Sequence, residues 1–136
     1  MKVVGLDLGA RRIGVAVSDA TGTLAVPRQV IVRSGDPARD RRAIARVVEE
    51  EGAGRVVVGL PRSLSGRLGP AARAALDEVR ELASVLGVPV ETYDERFTTV
   101  SAHQALRAAG HGGRARRQRV DQAAAAVLLQ AWIDSR

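Results

Sequence analysis

The chain reads as an α/β protein built on a five-stranded mixed sheet, an antiparallel three-strand meander followed by two parallel strands, with helices flanking it. Three observations predict this. Apolar and small residues alternate through residues 2–32, a short unbroken apolar run fills residues 55–61, and helical periodicity occupies the segments between and after. Strands joined by tight turns pair antiparallel, whereas a strand reached through a helix returns parallel to its neighbour. At 136 residues the chain can bury a sizeable core, and it is expected to form one domain over residues 1–136.

The opening run Lys2-Val3-Val4-Gly5-Leu6-Asp7-Leu8-Gly9 puts Val4, Leu6 and Leu8 on one face and Val3, Gly5 and Asp7 on the other. Gly9-Ala10-Arg11-Arg12 supplies a turn. Beyond it, Ile13, Val15 and Val17 alternate with Gly14, Ala16 and Ser18 in a second strand. Leu24 to Val32 makes a third, which Pro27 confines to an edge or bulged position because proline cannot donate to a ladder. Asp36-Pro37 opens an amphipathic helix to about Glu51, with Ile44, Val47 and Val48 on one face and the Arg39–Arg42 charges on the other; Gly52 and Gly54 stop it.

Arg55-Val56-Val57-Val58-Gly59-Leu60-Pro61 carries the signature of a buried central strand and ends in a Gly/Ser-rich loop from Arg62 to Gly69. Pro70 suits the first position of a helix running to about Leu86, Gly87 ends it, and Val88 to Tyr93 forms a fifth strand. The remainder is read as a helix over 98–109, a basic glycine-containing loop, and a final helix over about 120–133.

Composition narrows the chemistry. Cysteine is absent, so thiolate metal sites and disulfides are excluded, and any metal must use oxygen or histidine. No stretch approaches a membrane span and no secretory leader opens the chain, so a cytoplasmic protein without membrane contact is expected. The formal charge is +6, and Lys2 is the only lysine among 21 basic residues. Guanidinium forks bind phosphate in bidentate fashion, which fits a nucleic-acid partner; genomic base composition or thermal adaptation explains the same preference. Tyr93, Phe97 and Trp132 are the only aromatic residues, too few for a single-strand stacking platform. Phosphate contacts to duplex or branched nucleic acid fit better.

Three carboxylates stand in unusual places. Asp7 occupies a hydrophobic strand, where it must be solvated, hydrogen-bonded or metal-bound; capping the turn is its plain alternative. Glu95 follows the fifth strand in Tyr93-Asp94-Glu95-Arg96-Phe97-Thr98-Thr99, at the end of the sheet where open α/β folds place their sites. Asp94 is a neighbour or alternative ligand and Arg96 a phosphate contact, against a reading in which Asp94 or Thr98 caps a helix. Asp121 shares a stripe with Ala124, Ala125, Leu128 and Trp132 on a helix apolar nearly all round, although an acid in a first helical turn also favours the macrodipole. Hard oxygen ligands suit Mg²⁺ or Mn²⁺ and metal-assisted phosphoryl transfer. If one strand separates the first from the fifth, their axes lie about 10 Å apart, and two ions with their ligand bonds span roughly 8 Å.

Arg114, Arg116, Arg117 and Arg119 precede Asp121 in a run that either funnels a phosphate backbone or is a solvated basic loop. With Arg11, Arg12 and Arg96 they are the candidate nucleic-acid-binding residues. His103 reads as a surface or satisfied core residue, and His111 as a loop residue or a mobile proton shuttle.

The segments Val4-Gly5-Leu6-Asp7-Leu8-Gly9 with Arg12-Ile13-Gly14-Val15-Ala16, Val58-Gly59-Leu60-Pro61, Asp94-Glu95-Arg96-Phe97-Thr98-Thr99 and Val120-Asp121-Gln122-Ala123-Ala124 together resemble the YqgF family across essentially the whole chain. The resemblance implies an RNase H-like fold and a hydrolase: a nuclease of 5′-end pre-16S ribosomal RNA processing in ribosome biogenesis, or a Holliday junction resolvase acting on branched DNA. It implies Asp7, Glu95 and Asp121 as catalytic, metal-binding acids, with Gly9, Asp94, Thr98 and Thr99 in support. Ser63-Leu64-Ser65-Gly66 departs from the family's usual Asp-Gly, and no catalytic duty is assigned there.

Two other classes compete. The Asp7-Leu8-Gly9 hairpin resembles the phosphate-binding element of actin-like ATPases, but those pair two domains around the nucleotide and this chain is too short. A ribosome-assembly factor that binds RNA without cutting it explains the basic surface and leaves the inward acids without a role. The expected partners are structured RNA or branched DNA and ribosomal precursor particles, with the protein a monomer or homodimer.

Overall fold

The computed structural model describes residues 1–60, 69–95 and 114–136, with 114–121 described by their backbone alone. The five strands β1 (Val3–Leu8), β2 (Arg12–Ser18), β3 (Ala25–Val32), β4 (Arg55–Leu60) and β5 (Val90–Asp94) lie in the order β3-β2-β1-β4-β5. β1 pairs antiparallel with β2, and β2 with β3, while β1–β4 and β4–β5 are parallel. The mixed sheet expected from the alternation is therefore present, with β4 between β1 and β5.

Helices α1 (Pro37–Glu51) and α2 (Pro70–Val85) cover one face, where Ile44, Val47, Val48, Val79 and Leu82 pack on Val4, Leu6, Ile13, Val15, Val56 and Val58. Helix α3 (Arg114–Asp134) covers the other, setting Ala125, Leu129 and Trp132 on Val3, Ala16 and Val57. Two features of α3's path come from glycine. A Cβ on Gly5 would stand 2.8 Å from Leu129 Cβ, and one on Gly59 would stand 2.8 Å from Leu128 Cδ2, so the helix lies closer to β1 and β4 than any side chain there would allow.

Pro27 acts as expected: β3 is an edge strand, and its register slips between Val15 and Ala16, whose partners are Gln29 and Pro27. α1 starts at Asp36, whose carboxylate accepts from the Ala38 and Arg39 N–H groups, and ends at Gly52 in the left-handed conformation with φ of 63°.

Two expectations are corrected. Asp40, which falls within the Arg39–Arg42 charges expected opposite the apolar face, is buried, and its carboxylate accepts the Ser34 N–H at 3.0 Å and the Ser34 hydroxyl at 2.8 Å. The basic run Arg114–Arg119 is not a loop; it forms the first turns of α3. No glycine or proline interrupts residues 114–134, and arginine, glutamine and alanine are all good helix formers. The expected helix over 98–109 lies outside the described residues, as does nearly all of the expected loop after β4, of which only Gly69 is described.

Candidate active site

Strand parity sorts the acids. Asp7 shares the α3-facing side of β1 with Val3 and Gly5, and its antiparallel partner is Gly14. On the parallel side Gly5 pairs with Val57 and Leu6 with Val58, which puts Asp7 level with Gly59, and Gly59 in turn pairs with Tyr93. The half-buried Asp7 thus has glycine beside it on both neighbouring strands. Two strand steps of about 4.8 Å place β1 and β5 roughly 10 Å apart, and at this level Leu128 of α3, rather than a β4 side chain, covers Gly59 between them.

Glu95 follows β5 directly, half-buried in a short helical turn two residues past Tyr93. Tyr93 packs against Ala124 and Leu128 of α3, and Glu95 leaves the strand two residues beyond it. Asp94 has the opposite parity to Tyr93: it pairs with Leu60, which packs against Ala72 and Ala75 of α2.

Asp121 lies in the third turn of α3, one turn before Ala124 and Ala125, with its side chain outside the described residues. Because α3 begins at Arg114, no acid occupies its first turn. The macrodipole explanation for Asp121 loses its ground, since that effect fades within one turn. The helix tracks β1 in reverse. Val3 shares a surface hollow with Trp132 and Ile133, while Gly5 lies beneath Leu129 and the Ala125 carbonyl. Two strand residues advance about 6.6 Å and four helical residues about 6 Å, so the next step brings Asp7 level with Ala124 and Ala125, and Asp121 stands one helical turn beyond.

Gly9 closes the β1–β2 turn by donating to the Arg12 carbonyl at 2.9 Å; a Cβ there would sit 2.5 Å from that oxygen. Arg11 is exposed in the turn, and Arg12 opens β2 half-buried, on the parity that faces α3. Arg96, Thr98, Thr99, His103 and His111 lie outside the described residues; Arg114, Arg116, Arg117 and Arg119 are placed on α3 by backbone only. Among the described residues no three His, Asp or Glu side chains converge as a metal-binding group, and Asp121 was expected to complete one.

Two contributors escaped sequence reasoning. Gly59 had a signal, as the one residue without a side chain in a buried β-branched run. Arg33 had none. Its Nε donates to the Gly9 carbonyl at 2.8 Å, and its terminal nitrogens hold both oxygens of Glu78, 45 residues away, at 2.8 and 3.0 Å.

A hairpin and edge strand beside a parallel pair, helices on both faces and a carboxylate at the C-terminal end of the central strand define a fold of the RNase H-like class. The chain belongs to the RuvX family, also called YqgF and described as Holliday junction resolvase, whose profile matches residues 1–135. It is 46% identical over 134 residues to a protein of Mycobacterium sp. (strain KMS) named "Putative pre-16S rRNA nuclease", covering 98% of this chain and 79% of that one. A relative of the same name from Desulforudis audaxviator (strain MP104C) is 42% identical over 136 residues, covering 100% and 96%.

In fold, the chain is similar to Thermus thermophilus RuvC, with a TM-score of 0.59 at 20% identity over 99% of this chain and 95% of that one. RuvC solved in complex with Holliday junction substrate gives 0.58 at 21% identity, over 99% and 94%. A ROK hexokinase from Thermus thermophilus reaches 0.50 at 26% identity, over 76% of this chain and only 36% of the kinase. No described helix is long and apolar enough to cross a membrane.

Proposed function

We propose that this protein is a metal-dependent endonuclease that hydrolyses phosphodiester bonds in the 5′-end processing of pre-16S ribosomal RNA in the cytoplasm. The observation that carries the reading is the placement of Asp7 near the C-terminal end of β1 and of Glu95 just past the end of β5, at one end of the sheet with only β4 between their strands. Near full-length identity to relatives named as pre-16S ribosomal RNA nucleases supports the substrate.

The residues fit a hard divalent cation. Asp7 and Glu95 offer carboxylate oxygens, no thiol competes, and the β2 partner of Asp7 is Gly14, which has no side chain. With Asp121 they would hold Mg²⁺ or Mn²⁺, with two ions as the preferred count. When bound, such ions activate water and stabilise the leaving oxygen. The chain's own contribution is to hold three anionic groups on rigid elements and to bring phosphates to them through Arg11, Arg12, Arg96, Arg114, Arg116, Arg117 and Arg119. Gly9 keeps the turn after Asp7 tight, and Thr98 and Thr99 support the segment after Glu95.

Branched DNA is the second reading, favoured by the family's description and by the RuvC complex with a Holliday junction. Purified protein is to be assayed on precursor ribosomal RNA and on four-way DNA junctions, with Asp7→Asn as control. Cleavage of the RNA that Asp7→Asn loses, while folding and binding persist, is expected; full cleavage by that variant would refute the assignment of Asp7. Calorimetric titration with Mg²⁺ or Mn²⁺ separates a nuclease from a binding protein, since the latter takes up no metal through these carboxylates.

A further inference from the structure

The described cations divide into two groups. Lys2 and Arg28 engage Glu51, Arg28 also reaches Glu50, Arg55 and Arg136 share Glu91, and Arg80 pairs with Asp77. Arg39, Arg41, Arg42 and Arg46 on α1 belong to none of the ion pairs among the described residues. Arg39, Arg42 and Arg46 are exposed, and their i, i+3, i+7 spacing aligns them in one stripe. Compositional bias toward arginine explains why these residues are not lysine, but not why four of them fall unpaired on one helix, when elsewhere Arg11 and Arg73 stand singly outside the ion pairs among the described residues.

Their position opposes the helix's own stability. A macrodipole favours acids in the first turn and bases in the last; the Asp36 cap and Asp40 meet the first preference, but Arg39 shares that turn and Glu49, Glu50 and Glu51, with no base, fill the last. Arg39 with Arg42, and Arg42 with Arg46, are like-charge neighbours at i,i+3 and i,i+4. Glu50 and Glu51 are occupied by Arg28 and Lys2, whereas Glu49 and the stripe arginines enter no ion pair among the described residues. Like charges aligned without a partner within the fold point to a role outside it.

The stripe begins at the end of the sheet that carries the candidate site, on the face opposite α3. The Arg33 N–H donates to the Arg11 carbonyl at 2.9 Å, three residues before the Asp36 cap, so the N-terminus of α1 adjoins the β1–β2 turn. Its far end meets Lys2 at the start of β1. We propose that the outer face of α1 is a second contact surface for the substrate, taking the phosphate backbone of a duplex RNA arm that passes from the Asp7 end of the sheet over Arg11 onto Arg39, Arg42 and Arg46. This rests on the RNA nuclease reading, and charge complementarity selects the occupant. From Arg39 to Arg46 the helix rises roughly 10 Å, enough to meet several phosphates.

The test is fluorescence anisotropy with a labelled RNA hairpin and a four-way DNA junction, in an Asp7→Asn background that suppresses cleavage. Combining Arg39→Gln, Arg42→Gln and Arg46→Gln is expected to weaken hairpin binding at least about tenfold and to flatten the log affinity against log salt slope by about 2 to 3. The melting temperature should not fall, because these arginines enter no ion pair among the described residues and are like-charge neighbours, and Arg80→Gln should change neither binding nor slope. Unchanged affinity and slope, or a loss accompanied by a lowered melting temperature, would overturn the proposal while leaving the nuclease reading intact. Binding of the junction alone by the parent would overturn the RNA occupant, and binding of neither probe would overturn the nuclease reading itself.

Discussion

Arg33 clamps the turn that follows Asp7: its Nε holds the Gly9 carbonyl at 2.8 Å while its terminal nitrogens hold the Glu78 carboxylate. The Glu78 hydrogen bonds raise the Arg33 pKa, and the guanidinium stays charged throughout the working range. One side chain thereby ties the β1–β2 turn to α2. Replacing Arg33 with Met should destabilise the protein by about 1–2 kcal/mol in urea titration, since a charge-assisted bidentate pair is lost at a partly screened site. A double-mutant cycle with Glu78→Gln should give a coupling of about 1 kcal/mol, and a coupling near zero would leave the clamp without energetic content.

Glycine sets the approach of α3, and its two contacts differ in stiffness. A Cβ on Gly5 meets Leu129 Cβ at 2.8 Å and the Ala125 carbonyl at 3.4 Å, whereas one on Gly59 meets only the branched end of Leu128. Gly5→Ala should therefore cost about 2–3 kcal/mol and Gly59→Ala about 1 kcal/mol or less, because a side-chain tip yields where a helix backbone does not. Equal losses in chemical denaturation would show that α3 shifts as a whole.

The two neighbouring acids at the end of β5 should separate kinetically. Glu95→Gln is expected to lower cleavage at least about a hundredfold, the effect of losing a few kcal/mol of transition-state stabilisation. Asp94→Asn, on the parity opposite to Tyr93, should cost at least tenfold less than Glu95→Gln. A larger loss for Asp94→Asn would exchange their roles.

Acid sensitivity has a local source in the β2–β3 loop. Hydrogen bonds led by the Thr23 N–H, with Leu24 N–H and the Thr21 and Thr23 hydroxyls, hold Asp19 down to about 2 from 3.8. Its folded pKa is depressed, so its contribution is complete above about pH 4 and is lost as pH falls toward 2. Glu51, lowered chiefly by its hydrogen bond from Arg28, acts in the same direction. Thermal melts from pH 5 to pH 2 should show Asp19→Asn with a shallower acid decline than the parent; parallel curves would remove Asp19 from the account.

Residues 2–32 and 55–60 carry their own strand pattern, and Asp36, Pro37, Gly52, Pro70 and Gly87 punctuate the helices, because alternation and capping act within a few residues. Strand alternation also anticipated that Asp7 opposes Leu6 and Leu8, which makes parity one property of a site that a sequence can express. The edge position of β3 was legible for the same reason, in a single proline. Packing and register decided the rest. That Gly59 stands level with Asp7, that Asp40 turns inward to Ser34, and that Arg33 reaches Glu78 all depend on contacts between segments distant in the chain. Such contacts form only when whole faces are buried together, and no local preference encodes them.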